Sequence, residues 1–123
     1  MKLSVLWAIL YAMLIIALSS IPGRSFPDIK WLSQDKLIHI GEYLIFGILV
    51  SRAMVLRVTA RGRVFLFTLL LAGAFGALDE AYQALVPGRD NSYTDWIADL
   101  LGVIAGSSLF LLWRYYRDQA AAD

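Results

Sequence analysis

The sequence predicts an all-α fold, a four-helix transmembrane bundle with both termini cytoplasmic, in one domain over residues 1–123. Three observations carry this expectation. Of the 123 residues, 59% are hydrophobic and only 17% are charged, whereas about a quarter of the residues of a soluble domain are charged. The apolar residues fall into four segments. Each helical span takes about 20 of them, so four spans use most of the chain and leave no room for a separate soluble domain. The charges are also sorted, with one loop purely basic and the acids gathered at the other ends of the helices.

Residues 3–21 are the first apolar segment, preceded by Lys2. A secretory signal peptide is the rival reading, with Ala17-Leu18-Ser19 as a loose cleavage site. The run exceeds the usual h-region of about 7–15 residues, which favours a membrane helix. Pro22-Gly23 ends it, and a loop with Pro27 follows. Trp31 stands where an interfacial aromatic anchor belongs. Ser33 suits an N-cap, and Asp35 suits the first turn of the next helix.

Residues 35–55 form the second predicted span, polar in its first half and apolar in its second. Asp35, His39 and Glu42 share one stripe, flanked by Lys36 and Tyr43. One face is therefore polar over roughly 12 Å of depth. An amphipathic helix lying on a membrane surface has the same pattern; the apolar run from Leu44 to Val50 favours a span whose polar end faces inward. Arg52, Arg57, Arg61 and Arg63 come next without an intervening acid. By the positive-inside rule this loop is cytoplasmic, and Lys2, Arg114 and Arg117 fall on the same side of four spans.

Residues 64–84 make the third predicted span, ending in Asp79-Glu80-x-x-Gln83, and Pro87-Gly88-Arg89 makes the turn that follows. Ser92 followed by Asp95 has the pattern of a capping box that opens the fourth span, residues 94–113. Asp95, Asp99, Gly102 and Gly106 share a narrow stripe, and Gly102-x-x-x-Gly106 lets another helix approach closely. Of the ten acids, all but Asp118 and Asp123 then lie on the outer side, together with Lys36, His39 and Arg89. The polar ends of the second, third and fourth helices converge there, while the first helix serves as packing.

Without cysteine there is neither a disulfide framework nor a thiolate zinc site. The basic residues sit between apolar segments rather than on a nucleic-acid surface, so no nucleic acid is expected as a partner. No phosphate-binding glycine loop, nucleophile elbow or dinucleotide fingerprint occurs.

The chemistry-bearing residues are those carboxylates and the single histidine. His39, a turn from Asp35 and near Glu42, is a general-base or metal-ligand candidate, against the plainer role of a hydrogen-bonded packing residue. Glu80 and Asp99 are the acid/base candidates beside it, since neighbouring carboxylates are a common device for setting acids and bases apart. Asp99 needs a partner one turn below Asp95, and Lys36 or Arg89 is at hand. Capping accounts for Asp95, and a buried polar network is the plainer reading of Glu80 and Gln83. Arg89 is either an interfacial arginine or a fork for phosphate or carboxylate. Tyr43, Tyr82, Tyr93, Trp96 and Trp113 read as interfacial or packing aromatics. No cofactor is required; a divalent cation held by Glu80, Asp95, Asp99 and Gln83 is chemically accessible, because oxygen ligands suit magnesium or calcium.

Three runs in this order resemble the VanZ-like family. They are Asp35-Lys36-x-x-His39-x-x-x-Tyr43, then Asp79-Glu80-x-x-Gln83 with Val86-Pro87-Gly88-Arg89, then Asp95-x-x-x-Asp99-x-x-Gly102. Ser20-x-Pro22-Gly23 is similar to the family as well, so the resemblance extends from the end of the first helix to Gly106. The family often has Asn where this chain has Asp99. Glu80 and Gln83 are firmer matches than Asp79, which falls at a variable position. The family takes its name from a protein linked to resistance to teicoplanin, a glycopeptide with a lipid tail. The resemblance implies a small multi-pass protein of the plasma membrane that binds or acts on a lipid-linked or lipidated molecule at the extracytoplasmic side. His39, Glu80 and Asp99 would do the chemistry, and Lys36, Tyr43, Gln83 and Arg89 would hold the ligand. Asp35, Glu42, Asp79 and Asp95 would complete the polar cluster. It implies no particular reaction. Two other classes stand beside it: an accessory envelope protein whose cluster only holds the fold, and an ion-coupled carrier. The carrier is weakened because the inner halves of the predicted spans carry no charge.

Overall fold

A computed structural model describes residues 2–23, 32–89 and 92–122. Among them the regular structure is entirely helical: α1 Lys2–Ser19, α2 Leu32–Met54, α3 Arg61–Gln83 and α4 Tyr93–Ala120. Three helices are long and apolar enough to cross a membrane. The fourth, α1, has 18 residues, a rise of about 27 Å set against a hydrocarbon thickness of about 30 Å.

The boundaries differ from expectation at both ends of α2 and α4. Because α2 begins at Leu32, Ser33 lies inside its first turn and is not the N-cap. Seven residues of α4 continue past Trp113. The apolar run ends there, but helical order continues: Arg117 lies over the Trp113 ring, Arg114 pairs with Asp118 one turn on, and Arg61 of α3 stacks on Tyr115. Trp31, Pro27, Asp28 and Asp90 lie outside the described residues.

Paired side chains give the directions of the helices. Lys36 meets Asp95 and Ser51 meets Ser107, so α2 and α4 run parallel. Ser51 also meets Thr68 while His39 meets Glu80, so α3 runs against α2. Ser19 at the end of α1 meets Asp79 near the end of α3, so these two run the same way. The result is an up-down-up-down order in which α2 touches all three other helices and packs most extensively on α4.

Glycines make that contact possible. A Cβ on Gly102 would press on Leu44 N at 2.9 Å, one on Gly106 would collide with Leu44 O, and one on Gly47 of α2 would lie 2.8 Å from Val103 O. The two backbones thus touch through the Gly102/Gly106 pair and through Gly47 in return. On the inward stripes sit Tyr43, Phe46 and Val50 of α2, Ala72 of α3 and Val103 of α4, with Ile15 from α1. Phe46 anchors an aromatic layer, 5.1 Å from the Phe75 ring, 5.9 Å from Tyr43 and 6.3 Å from Tyr11.

Polarity is inverted relative to a soluble domain. Asp79, Glu80, Gln83, Asp95, Asp99 and His39 are buried, while Leu3, Met13, Leu70, Leu78, Leu101 and Leu112 are more than half exposed. So much exposed apolar surface is foreign to a soluble monomer and suits contact with lipid.

Gly106→Ala should destabilise the protein by about 1–3 kcal/mol, the usual range for overpacking. Gly41→Ala meets nothing within 4 Å and should stabilise α2 by up to about 1 kcal/mol through helix propensity. Thermal unfolding in detergent, followed by tryptophan fluorescence, separates the two; equal shifts would contradict the close α2–α4 approach.

Candidate functional site

The helix order brings the end of α1, the first half of α2, the end of α3 and the start of α4 to one end of the molecule. The polar side chains meet there in two connected groups.

The central group is His39, Glu80 and Asp99, one residue from each of α2, α3 and α4. His39 Nδ1 lies 2.8 Å from Asp99 Oδ1 and 3.9 Å from Glu80 Oε1. All three residues are buried, Asp99 completely. Asp99 was expected to find Lys36 or Arg89; it finds His39 instead, because the glycine-mediated contact brings α2 and α4 close at this level. Lys36, one turn nearer the helix start, donates to Asp95 Oδ1 and to Thr94 Oγ1.

Glu80 is held by the chain itself. Its Oε2 accepts the backbone N–H of Ser92 at 3.1 Å, and its Oε1 is the oxygen nearer His39. The capping box is accordingly rearranged. Ser92 is the N-cap of α4, but its hydroxyl bonds Thr94 Oγ1 rather than the helix backbone. The acid that receives its N–H is Glu80 from α3, and Asp95 is left to pair with Lys36.

The second group is Asp79, Gln83 and Ser19. Asp79 Oδ2 accepts from Ser19 Oγ at 2.8 Å and from Gln83 Nε2 at 3.1 Å. Gln83 therefore completes Asp79 rather than Glu80. Ser19 shows that α1 is more than packing, since it supplies a donor to a carboxylate that is 1% exposed. The Val86–Arg89 turn, with Pro87 and Gly88 (φ 77°) at its centre, ties the end of α3 to the end of α1 as well. Gly23 N–H donates to Pro87 O, and Arg89 donates to Ile21 O at 3.2 Å and Leu18 O at 3.0 Å. The guanidinium thus closes the carbonyl end of α1, the end a cation favours.

Tyr43 is wholly buried beneath the cluster. Glu42 and Asp35 are half-buried at the rim. Among the described residues, four side-chain atoms in the cluster are enclosed without a hydrogen-bond partner: Tyr43 Oη, Asp79 Oδ1, Glu80 Oε1 and Asp99 Oδ2.

Two further features were missed from sequence. Ser51, Thr68 and Ser107 form a buried hydroxyl trio, with bonds of 3.1 and 2.8 Å from Ser51, below the aromatic layer. Trp96, expected at an interface or in packing, donates its indole N–H to Gly73 O on α3 at 2.9 Å. A hydroxyl within an apolar helix was the available signal for the trio, since such groups bond across helices in membranes. At the arginine end a cleft of about 830 Å3 opens between Ile48, Leu109, Phe110 and Trp113, with Arg52, Arg114 and Arg117 around it, far from the histidine.

Chemically, an imidazole between two enclosed carboxylates is equipped to exchange a proton or to bind a cation. Comparisons with protein-family models, with curated proteins and with solved structures find no match for the chain.

Asp99→Ala removes the hydrogen-bond partner of the buried His39, leaving Glu80 Oε1 3.9 Å away, and should cost about 3–5 kcal/mol, as for a broken buried pair. Asp99→Asn keeps an acceptor for His39 and should cost clearly less. Unfolding in detergent reads the difference; equal losses would mean that side-chain volume rather than the histidine contact sets the cost. Ser19→Ala removes a donor to a buried carboxylate and should cost about 1–3 kcal/mol by the same measurement.

Proposed function

We propose that this is a VanZ-like integral membrane protein of the cell envelope. Its histidine–carboxylate centre binds or acts on the polar head of a lipid-linked or lipidated molecule at the extracytoplasmic side. The four helices span the plasma membrane with both termini cytoplasmic. The arginine loop lies inside and the carboxylate cluster in the outer half.

One observation carries the functional reading: buried oxygens of Glu80, Asp99, Asp79 and Tyr43 have no hydrogen-bond partner among the described residues. A network that served the fold alone would leave few buried polar atoms unpaired, since each costs about 1–3 kcal/mol. Concentrated at one centre, they support a site made for a ligand or a reaction. Lys36, about a quarter exposed and beside Thr94, provides a cation at the edge of that centre suited to an anionic head group. An ion-coupled carrier is disfavoured, because the apolar layer of Phe46, Phe75, Val50, Ala72 and Val103 separates the carboxylates from the hydroxyl trio.

The test is susceptibility to a lipidated glycopeptide in cells expressing the chain. Wild type should shift it, while His39→Ala, Glu80→Ala and Asp99→Asn, at equal membrane abundance, should not. Variants that match the wild type would make the cluster structural and the protein an accessory one. Orientation is checked separately in the cysteine-free chain. An impermeant maleimide should label Leu85→Cys in intact cells, and Thr59→Cys only after permeabilisation; the reverse pattern would invert the topology.

A further inference from the structure

We propose that His39, Glu80 and Asp99 form a binding site for one divalent metal ion of the zinc or manganese kind. This deepens the preceding reading and rests on the same centre.

The ligand atoms of these three residues all lie within 4.8 Å of one another. Metal–nitrogen and metal–oxygen bonds of about 2.0–2.2 Å place two ligands of a tetrahedral site about 3.4 Å apart. The observed separations of 2.8 and 3.9 Å from His39 Nδ1 bracket that value. A shift of roughly half an ångström in each carboxylate reaches it.

A bound ion would replace the hydrogen bond between His39 Nδ1 and Asp99 Oδ1. Glu80 Oε1 and Asp99 Oδ2 are enclosed without a hydrogen-bond partner among the described residues, in residues 3% and 0% exposed. The hydroxyl of Tyr43, in a residue 0% exposed, likewise has no hydrogen-bond partner among the described residues. Asp99 Oδ2 and the Tyr43 ring edge approach the same point beside Gly76, each 3.2 Å from where a Cβ would stand. Small size at Gly76 keeps this space open.

Charge gives the same answer. As metal ligands, a neutral imidazole and two ionised carboxylates would bring two negative charges to an enclosed place, where uncompensated charge costs several kcal/mol. One divalent cation balances them. The supporting contacts resemble those that orient metal ligands elsewhere: Ser92 N–H holds Glu80 Oε2 and leaves Oε1 toward the centre.

One imidazole with carboxylates suits zinc or manganese better than magnesium, which prefers oxygen ligands and retains its waters. Asp35, His39 and Asp95 are a second close group. There, however, Asp95 Oδ1 is already bound to Lys36 and Asp35 is partly exposed, so the inference assigns the ion to Glu80 and Asp99.

The experiment uses the full chain purified in detergent and stripped with chelator. Zinc, manganese and magnesium are each titrated by calorimetry, with bound metal counted by elemental analysis after desalting. The expected result is one equivalent of zinc or manganese and a higher unfolding temperature when it is bound, because the ligands come from three helices. Glu80→Gln and Asp99→Asn should each weaken binding at least tenfold, whereas Asp95→Asn should retain it. No binding by folded wild type, preference for magnesium alone, or loss in Asp95→Asn with retention in Glu80→Gln would each overturn the assignment. If Asp99→Asn does not fold, the wild-type stoichiometry and Glu80→Gln decide. The readout is metal and stability, not antibiotic susceptibility, so this site and the amphiphile reading fail independently.

Discussion

Backbone contact between α2 and α4 is the constraint on which the rest depends. Gly102 and Gly106 meet the main chain around Leu44, and Gly47 meets Val103 in return. At that separation short side chains reach across: Lys36 to Asp95, His39 to Asp99 and Ser51 to Ser107. These three ties stand at successive levels along one pair of parallel helices. Widening the pair by the thickness of a methyl group would strain all three, because a hydrogen bond loses most of its value beyond about 3.2 Å.

The remaining helices complete what that pair begins. From α3 come Glu80 for the histidine, Thr68 for the hydroxyl trio and Gly73 O for Trp96. Peripheral α1 buries Ile15 and Ser19, packs the partly buried Ala8, Tyr11 and Ala12 against the core, and exposes most of its other apolar side chains. Its attachment depends on both kinds of contact, Tyr11 on Phe46 in the apolar layer and Ser19 on Asp79 in the polar one. The polar groups are therefore stacked in two layers with aromatic rings between. The bonds that each layer does make run across helices, because an apolar surrounding offers no alternative partner.

Much of the site was legible because polar residues in apolar helices have few places to go. His39, Glu80 and Asp99 could be named together from their position near the same ends of three antiparallel segments. Their partners could not. In sequence Asp99 was matched to Lys36 or Arg89, and only the depth at which α2 meets α4 gives it His39 instead. Arg89 read equally well as an anion fork and as an interfacial residue; its guanidinium lies on the carbonyls of Leu18 and Ile21 because the Val86–Arg89 turn folds back over α1. Asp95 looked like a cap and is an ion-pair partner. That exchange depends on Glu80 arriving from another helix to take the Ser92 N–H.

Composition and periodicity alone determined the helical class, the number of helices, the gathering of acids at one end and arginines at the other, and the small-residue face of α4. These follow from local rules: apolar run length, helical spacing and turn residues act within a few positions of the chain. Tertiary structure decided which donor meets which acceptor, that α1 contributes Ser19, that Thr68 joins Ser51 and Ser107, and that α4 continues to Ala120. Those outcomes turn on the rotation and depth of helices that are 17–64 positions apart in sequence wherever their side chains bond. A shift of one residue along a helix turns a side chain by about 100 degrees, so only the packed arrangement settles them.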